Sequence, residues 1–108
     1  MRTIDERFAT VVKAFTRDPQ VTRETRKGFG SGALKVRGKI FAMVSSRDEF
    51  VVKLPKARVD QLVQDGIGRR FEPGPGRVMK EWLALGPRTV SGWVDLAKEA
   101  RRHVAGDE

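Results

Sequence analysis

The sequence predicts an α+β fold with an antiparallel sheet, in the order α-β-β-β-α-β-β-α. Three observations predict it. Apolar residues recur at three-and-four spacing near the N-terminus and near the C-terminus, the signature of amphipathic helices. Between them, ALKV, KIFAMVSS and EFVVKL are short, rich in branched and aromatic residues, and separated by Arg37-Gly38 and Ser46-Arg47. Folding these runs at those two points collects the bulky apolar side chains on one face, as a half-buried meander requires.

The first element is a helix from Thr3 to Arg17. Ile4, Phe8, Val11, Val12 and Phe15 line one side, Thr3 with Glu6 forms a T-x-x-E capping box, and Asp18-Pro19 stops the helix. Val21 to Thr25 reads as a short strand or a loop. In the meander, two-residue turns pair Leu34 with Phe41, Phe41 with Val52, and Met43 with Phe50. Leu34, Val36, Phe41, Met43, Phe50, Val52 and Leu54 are then expected on one side, and Lys35, Ile40, Ala42, Val44, Val51 and Lys53 on the other. Pro55 to Asp65 predicts a second helix, with Val59, Leu62 and Val63 buried and Gly66 ending it. GRRFEPGPGRVMKEWLAL predicts two strands around a rigid Pro-Gly loop, the second from about Val78 to Leu85. A last helix follows Gly86-Pro87, capped by Thr89 or Ser91, with Trp93, Leu96, Ala97, Ala100 and Val104 as its apolar stripe.

Within RKGFGSGALKVRGKIFAMV, the segment GFGSGA formally satisfies the dinucleotide pattern G-x-G-x-x-[GA], and Asp48 lies downstream. The mechanism behind that pattern needs a helix after the glycines, whose N-terminus meets the pyrophosphate. The residues that follow alternate at strand period, so Gly28 and Gly30 read as backbone punctuation ahead of a strand. No G-K-[ST] completes a phosphate-binding loop either, and no cofactor is expected.

A chain of 108 residues fits one domain, 1–108, and 33% charged with 39% hydrophobic residues suits a soluble globular protein. Cysteine is absent, which excludes disulfides, thiolate chemistry and cysteine-bound metals. With no signal-like segment and no apolar run of about 20 residues, a cytoplasmic, non-membrane protein is expected. His103 is the sole histidine and stands in the last turn of the final helix, where it suits the C-terminal carbonyls better than a catalytic triad. Nothing in the spacing aims Glu72 and Glu81 at each other as an acid–base pair. The protein is expected not to be an enzyme.

The formal charge is +8, from 22 basic against 14 acidic residues, which favours phosphate backbones or acidic proteins as partners. The register puts Lys35 and Lys53 on the face away from the bulky apolar set. Lys80 and Trp82 share a face of the late strand, which is either that lysine-bearing face or one turned into the core. Lysines interleaved with an aromatic suit a nucleic-acid platform or a protein interface. A second basic group, Arg23, Arg26 and Lys27, precedes the glycines. Arg69-Arg70 and Arg101-Arg102 are short doublets that suit either phosphate contacts or solvated surface charge.

Phe29, Gly30, Leu34, Gly38, Phe41, Ala42 and Val44 follow a pattern that resembles the N-terminal domain of the TfoX/Sxy competence regulators. EFVVKL, with Lys53, is similar to that family's next strand. Met79, Lys80 and Trp82, with the tryptophan-bearing last helix, look more like the related MmcQ/YjbR proteins. Gly28 stands where the first family has methionine, and Ala33 where it has glycine. The resemblance covers nearly the whole chain and implies a two-layer α+β domain with helices packed on one face of an antiparallel sheet. It carries over no catalytic residue, and it implies a noncatalytic binding or regulatory domain, nucleic-acid-binding or transcription-related. The alternative is a protein-interaction or chaperone-like module that dimerises through its open sheet face. Candidate contact residues are Arg23, Arg26, Lys27, Lys35, Lys53, Lys80 and Trp82, with DNA, an acidic protein or a second copy as partner.

Overall fold

The computed structural model of the chain describes residues 4–24, 32–86 and 92–106. Helix α1 spans Ile4–Lys13, followed by strands β1 (Val21–Arg23), β2 (Leu34–Val36), β3 (Lys39–Val44) and β4 (Phe50–Lys53). Helix α2 spans Lys56–Gln64, β5 Arg69–Phe71, β6 Met79–Leu85, and α3 Trp93–Ala105. The strands form one six-stranded antiparallel sheet in the order β1-β2-β3-β4-β6-β5. The expected α+β architecture stands. Val21–Arg23 adds an edge strand by pairing with β2, a segment whose polarity left strand and loop equally open.

Local chemistry explains most boundaries. Regular α1 ends at Lys13, four residues before the expected Arg17, because Ala14, Phe15 and Thr16 donate their N–H groups to carbonyls three residues back and tighten the chain toward Asp18. Helix α2 starts after Pro55 and stops at Asp65, with Gly66 at a φ of +75°. The cap position of α3 is Gly92, which has no side chain to cap with. Thr89 and Ser91, expected in that role, lie outside the described residues, as do Thr3, Gly28 and Gly30. Downstream of the glycine-rich segment, Leu34 opens a strand and no helix, as the pattern argument required.

The register differs from the expected one in two places, and the differences compensate. Arg37 (φ 54°) and Gly38 (φ 78°) form the expected two-residue turn of mirror-image type, with Val36 opposite Lys39 and Lys35 opposite Ile40. The next pair is Leu34 with Ala42, so Phe41 is the extra residue of a β-bulge. Past the bulge the alternation is shifted by one. The following loop is also longer by one. Ser45 N–H donates to Glu49 O at 2.8 Å, leaving Ser46, Arg47 and a left-handed Asp48 (φ 57°) as the turn. Val44 therefore faces Phe50, Met43 faces Val51 and Ala42 faces Val52. Phe41, Phe50 and Val52 still share the core face, but Met43 moves to the opposite face, and Ala42 and Val44 move to the core side.

All three helices pack on that core face. Phe8 and Val11 of α1 with Phe15 just beyond it, Val59 and Leu62 of α2, and Trp93, Leu96, Ala97 and Ala100 of α3 bury against Leu34, Phe41, Phe50, Val52, Leu83 and Leu85. Each fully buried Phe, Leu or Val contributes on the order of 1.5–3 kcal/mol. Trp93 stacks on Phe50 with centroids 4.4 Å apart, and the Arg7 guanidinium lies 3.9 Å over the Trp93 ring centroid. Ion pairs join the elements at the rim. Arg101 of α3 donates to Asp18 at 3.0 Å, Arg58 of α2 donates to Glu99 of α3 at 2.7 Å, and Arg70 of β5 donates to Asp60 of α2 at 2.7 Å.

Candidate functional site on the open sheet face

The sheet face away from the helices is not a bare lawn of lysines. Because alternate residues of each strand point to opposite faces, the shift at Phe41 delivers Met43 here, beside Val51, Ala84 and Phe71. These four and Ala33 form a second, smaller core without any helix residue, flanked by half-buried Ile40, Met79 and Trp82. At one end Glu49, only 5% exposed, accepts a hydrogen bond from Arg69 and one from Ser45 Oγ. Pairing is what allows a carboxylate to be buried there.

The other end is cationic. A depression of about 570 Å³ is lined on the open face by Lys35, Ile40, Lys53 and Trp82, and round the end of the sheet by Gly38, by Lys39, whose cross-strand partner Val36 faces the helices, and by His103 and Val104 from the last turn of α3. A second, of about 390 Å³, is lined by Ile40, Met43, Phe71, Met79 and Trp82, with Pro73 and Arg77 from the β5–β6 loop. Ile40 and Trp82 belong to both, so the two form one trough with an apolar half and a lysine-rich half. Among the described residues, no carboxylate lines either half.

The elements place these groups directly. Lys53 and Trp82 are cross-strand partners on β4 and β6, and Lys53 Nζ lies 5.2 Å from the Trp82 ring centroid. Lys35 is opposite Ile40 across the β2–β3 hairpin. Its ammonium is 2.6 Å from Glu24, which neutralises much of its charge. Lys39, Lys53 and Arg77 have no carboxylate partner among the described residues. A cation without a local partner retains its field for an incoming anion.

Of the residues expected at a site, Lys35, Lys53 and Trp82 come together in the trough, and Trp82 belongs to the open face, not the helix-side core. Lys80 is exposed but lines neither depression. Arg23 sits on the edge strand, folded back to donate to Gly32 O at 3.2 Å. Arg26 and Lys27 lie outside the described residues. Sequence reasoning missed Lys39, Arg77 and His103. The turn at Arg37-Gly38 was a signal for Lys39, which follows it directly, whereas Arg77 and His103 reach the trough only through a loop and a helix end brought in by tertiary packing.

No family model matches this chain, and neither a curated protein nor a solved structure matches it. Among the described residues, no helix is long and apolar enough to cross a membrane.

Proposed function

We propose that the protein is a noncatalytic cytoplasmic binding domain of regulatory type that engages nucleic acid through its open sheet face. The observation that carries this reading is the trough itself: Lys53 and Arg77 line it with Trp82, Lys39 reaches it round the end of the sheet, and no carboxylate among the described residues lines its walls. Cations without local partners, set beside an accessible aromatic ring, provide what a polyanion carrying flat bases needs. The likeness of Phe29, Gly30, Gly38 and Phe41 to the TfoX/Sxy pattern, and of Met79, Lys80 and Trp82 to the MmcQ/YjbR pattern, supports a regulatory role.

The test is the salt dependence of binding. Fluorescence anisotropy of a labelled oligonucleotide is expected to show binding at about 50 mM sodium chloride that weakens steeply toward about 200 mM. Three phosphate contacts, one for each unpartnered cation, give a log–log slope of about −2 for a single strand. Absence of binding at the lower salt, or a flat response, would overturn the reading.

The second reading is a protein-interaction module that dimerises through the same face, and the apolar bed of Met43, Phe71 and Met79 favours it. A two-fold dimer would bring two sets of unpartnered cations together, which opposes association at low salt. Sedimentation expects a dimer strengthened by salt on this reading, and a monomer at all salt concentrations on the first.

A further inference from the structure

We infer that the ligand of the trough is a single-stranded polynucleotide, one of whose bases stacks on Trp82 with its phosphates on Lys39, Lys53 and Arg77. The inference rests on the nucleic-acid reading above and narrows it. Trp82 divides the trough. On one side lie Met43, Phe71 and Met79 with Arg77 at their rim, on the other Lys53 and, from the end of the sheet, Lys39, while Ile40 borders both. A nucleotide has the same division, an apolar flat base joined to a charged phosphate. The apolar half, at about 390 Å³, has room for a base, and its walls carry few groups that would read a base edge by hydrogen bonding. Recognition is therefore of the base face and is tolerant of sequence.

Duplexes do not fit this arrangement. Their base faces are hidden in their own stack, so only phosphates and groove edges would reach the sheet, leaving the aromatic and its apolar bed unused. Lys53 Nζ lies over the Trp82 ring, 5.2 Å from its centroid, so a base that stacks on that face displaces the ammonium, which stays within reach of the strand's phosphate. Arg77, on the β5–β6 loop, lines the apolar half, whereas Lys35 and Lys39 line the other, so both halves that share Trp82 offer a cation to the strand's backbone. The strand crosses β6, β4 and β3, which are neighbours in the sheet.

Tryptophan fluorescence tests this with the whole chain. Trp93 is 5% exposed and stacked on Phe50, so quenching by a ligand reports on Trp82. A short oligothymidylate is expected to quench emission, while a duplex of equal length and thymidine monophosphate at equal phosphate concentration leave it unchanged. Trp82→Leu, which keeps apolar bulk without a π face, is expected to weaken binding about 5- to 100-fold, the range for one base–aromatic stack. Trp82→Phe is expected to bind within a few fold of the wild type, and it keeps the test sound should Trp82→Leu melt early. Quenching by the duplex or the monophosphate as strong as by the single strand, or unchanged affinity in Trp82→Leu, would overturn the inference. If anisotropy shows duplex binding that is salt-dependent and indifferent to Trp82, the inference falls and the broader reading stands. Binding of neither form at about 50 mM salt removes both.

Discussion

Gly68 shows how one position can govern a sheet edge. A Cβ built there would meet the carbonyl oxygen of Ala84 at 2.8 Å and Leu83 Cδ1 at 3.0 Å, because the chain entering β5 lies directly against β6. The obstacle is backbone, so it does not rotate away. Gly68→Ala is expected to destabilise by about 1–3 kcal/mol in urea denaturation, the range for forced overpacking. Gly74→Ala, with nothing within 4 Å of the added methyl and no positive φ, is the neutral control. Asp48 is the opposite sort of residue. Its left-handed φ of 57° is one that aspartate tolerates better than most, and it allows the three-residue loop that sequence reasoning shortened to two.

Between elements, the contact of Asp18 with Arg101 joins the exit of α1 to α3 across 83 residues of sequence. The Arg101 guanidinium, and then the Gln20 backbone N–H, hold the Asp18 carboxyl below its usual range. A carboxylate with a depressed folded pKa contributes stability above its unfolded value and loses it as pH falls through the folded one. Asp18→Asn is therefore expected to lower stability by about 1 kcal/mol near neutral pH. The difference should begin to shrink as pH falls past the ordinary carboxylate range, about pH 4, and vanish only below the depressed folded pKa, where the wild-type carboxyl is protonated too; denaturant midpoints measured across pH check it. A difference that persists in acid would mean that the side chain acts through packing alone. The helices and their apolar stripes were legible because Phe8, Val11, Leu62 and Leu96 obey a fixed period. The alternation of β3 was legible only up to Phe41. A bulge leaves no mark in composition, and a second irregularity in the Ser46–Asp48 loop restored the face of Phe50, so a correct core for most residues concealed a wrong register.

Across the molecule, charge and apolar surface divide by face. The helix side is closed by three helices and rim ion pairs, whereas the open side carries a small second core with a cationic trough at one end. The net charge of +8 was legible at once, but its placement was not. Lys35 and Lys53 could be assigned to a face by alternation, and Trp82 only to a choice of two. Glu24 cancels Lys35 through contact between β2 and the chain beyond β1, which no local pattern reveals. Arg77 depends on how the Pro-Gly loop folds back. On the proposed function the open face, rather than the helices or the edge strand, receives the ligand. Titration with oligothymidylate at low salt, followed by backbone amide chemical shifts, tests it most directly. The expected result is a contiguous set of perturbations at Ile40, Lys53, Arg77 and Trp82, with Val11, Val59 and Ala97 unmoved; perturbations centred on the helices or on Arg23, or none at all, would contradict it.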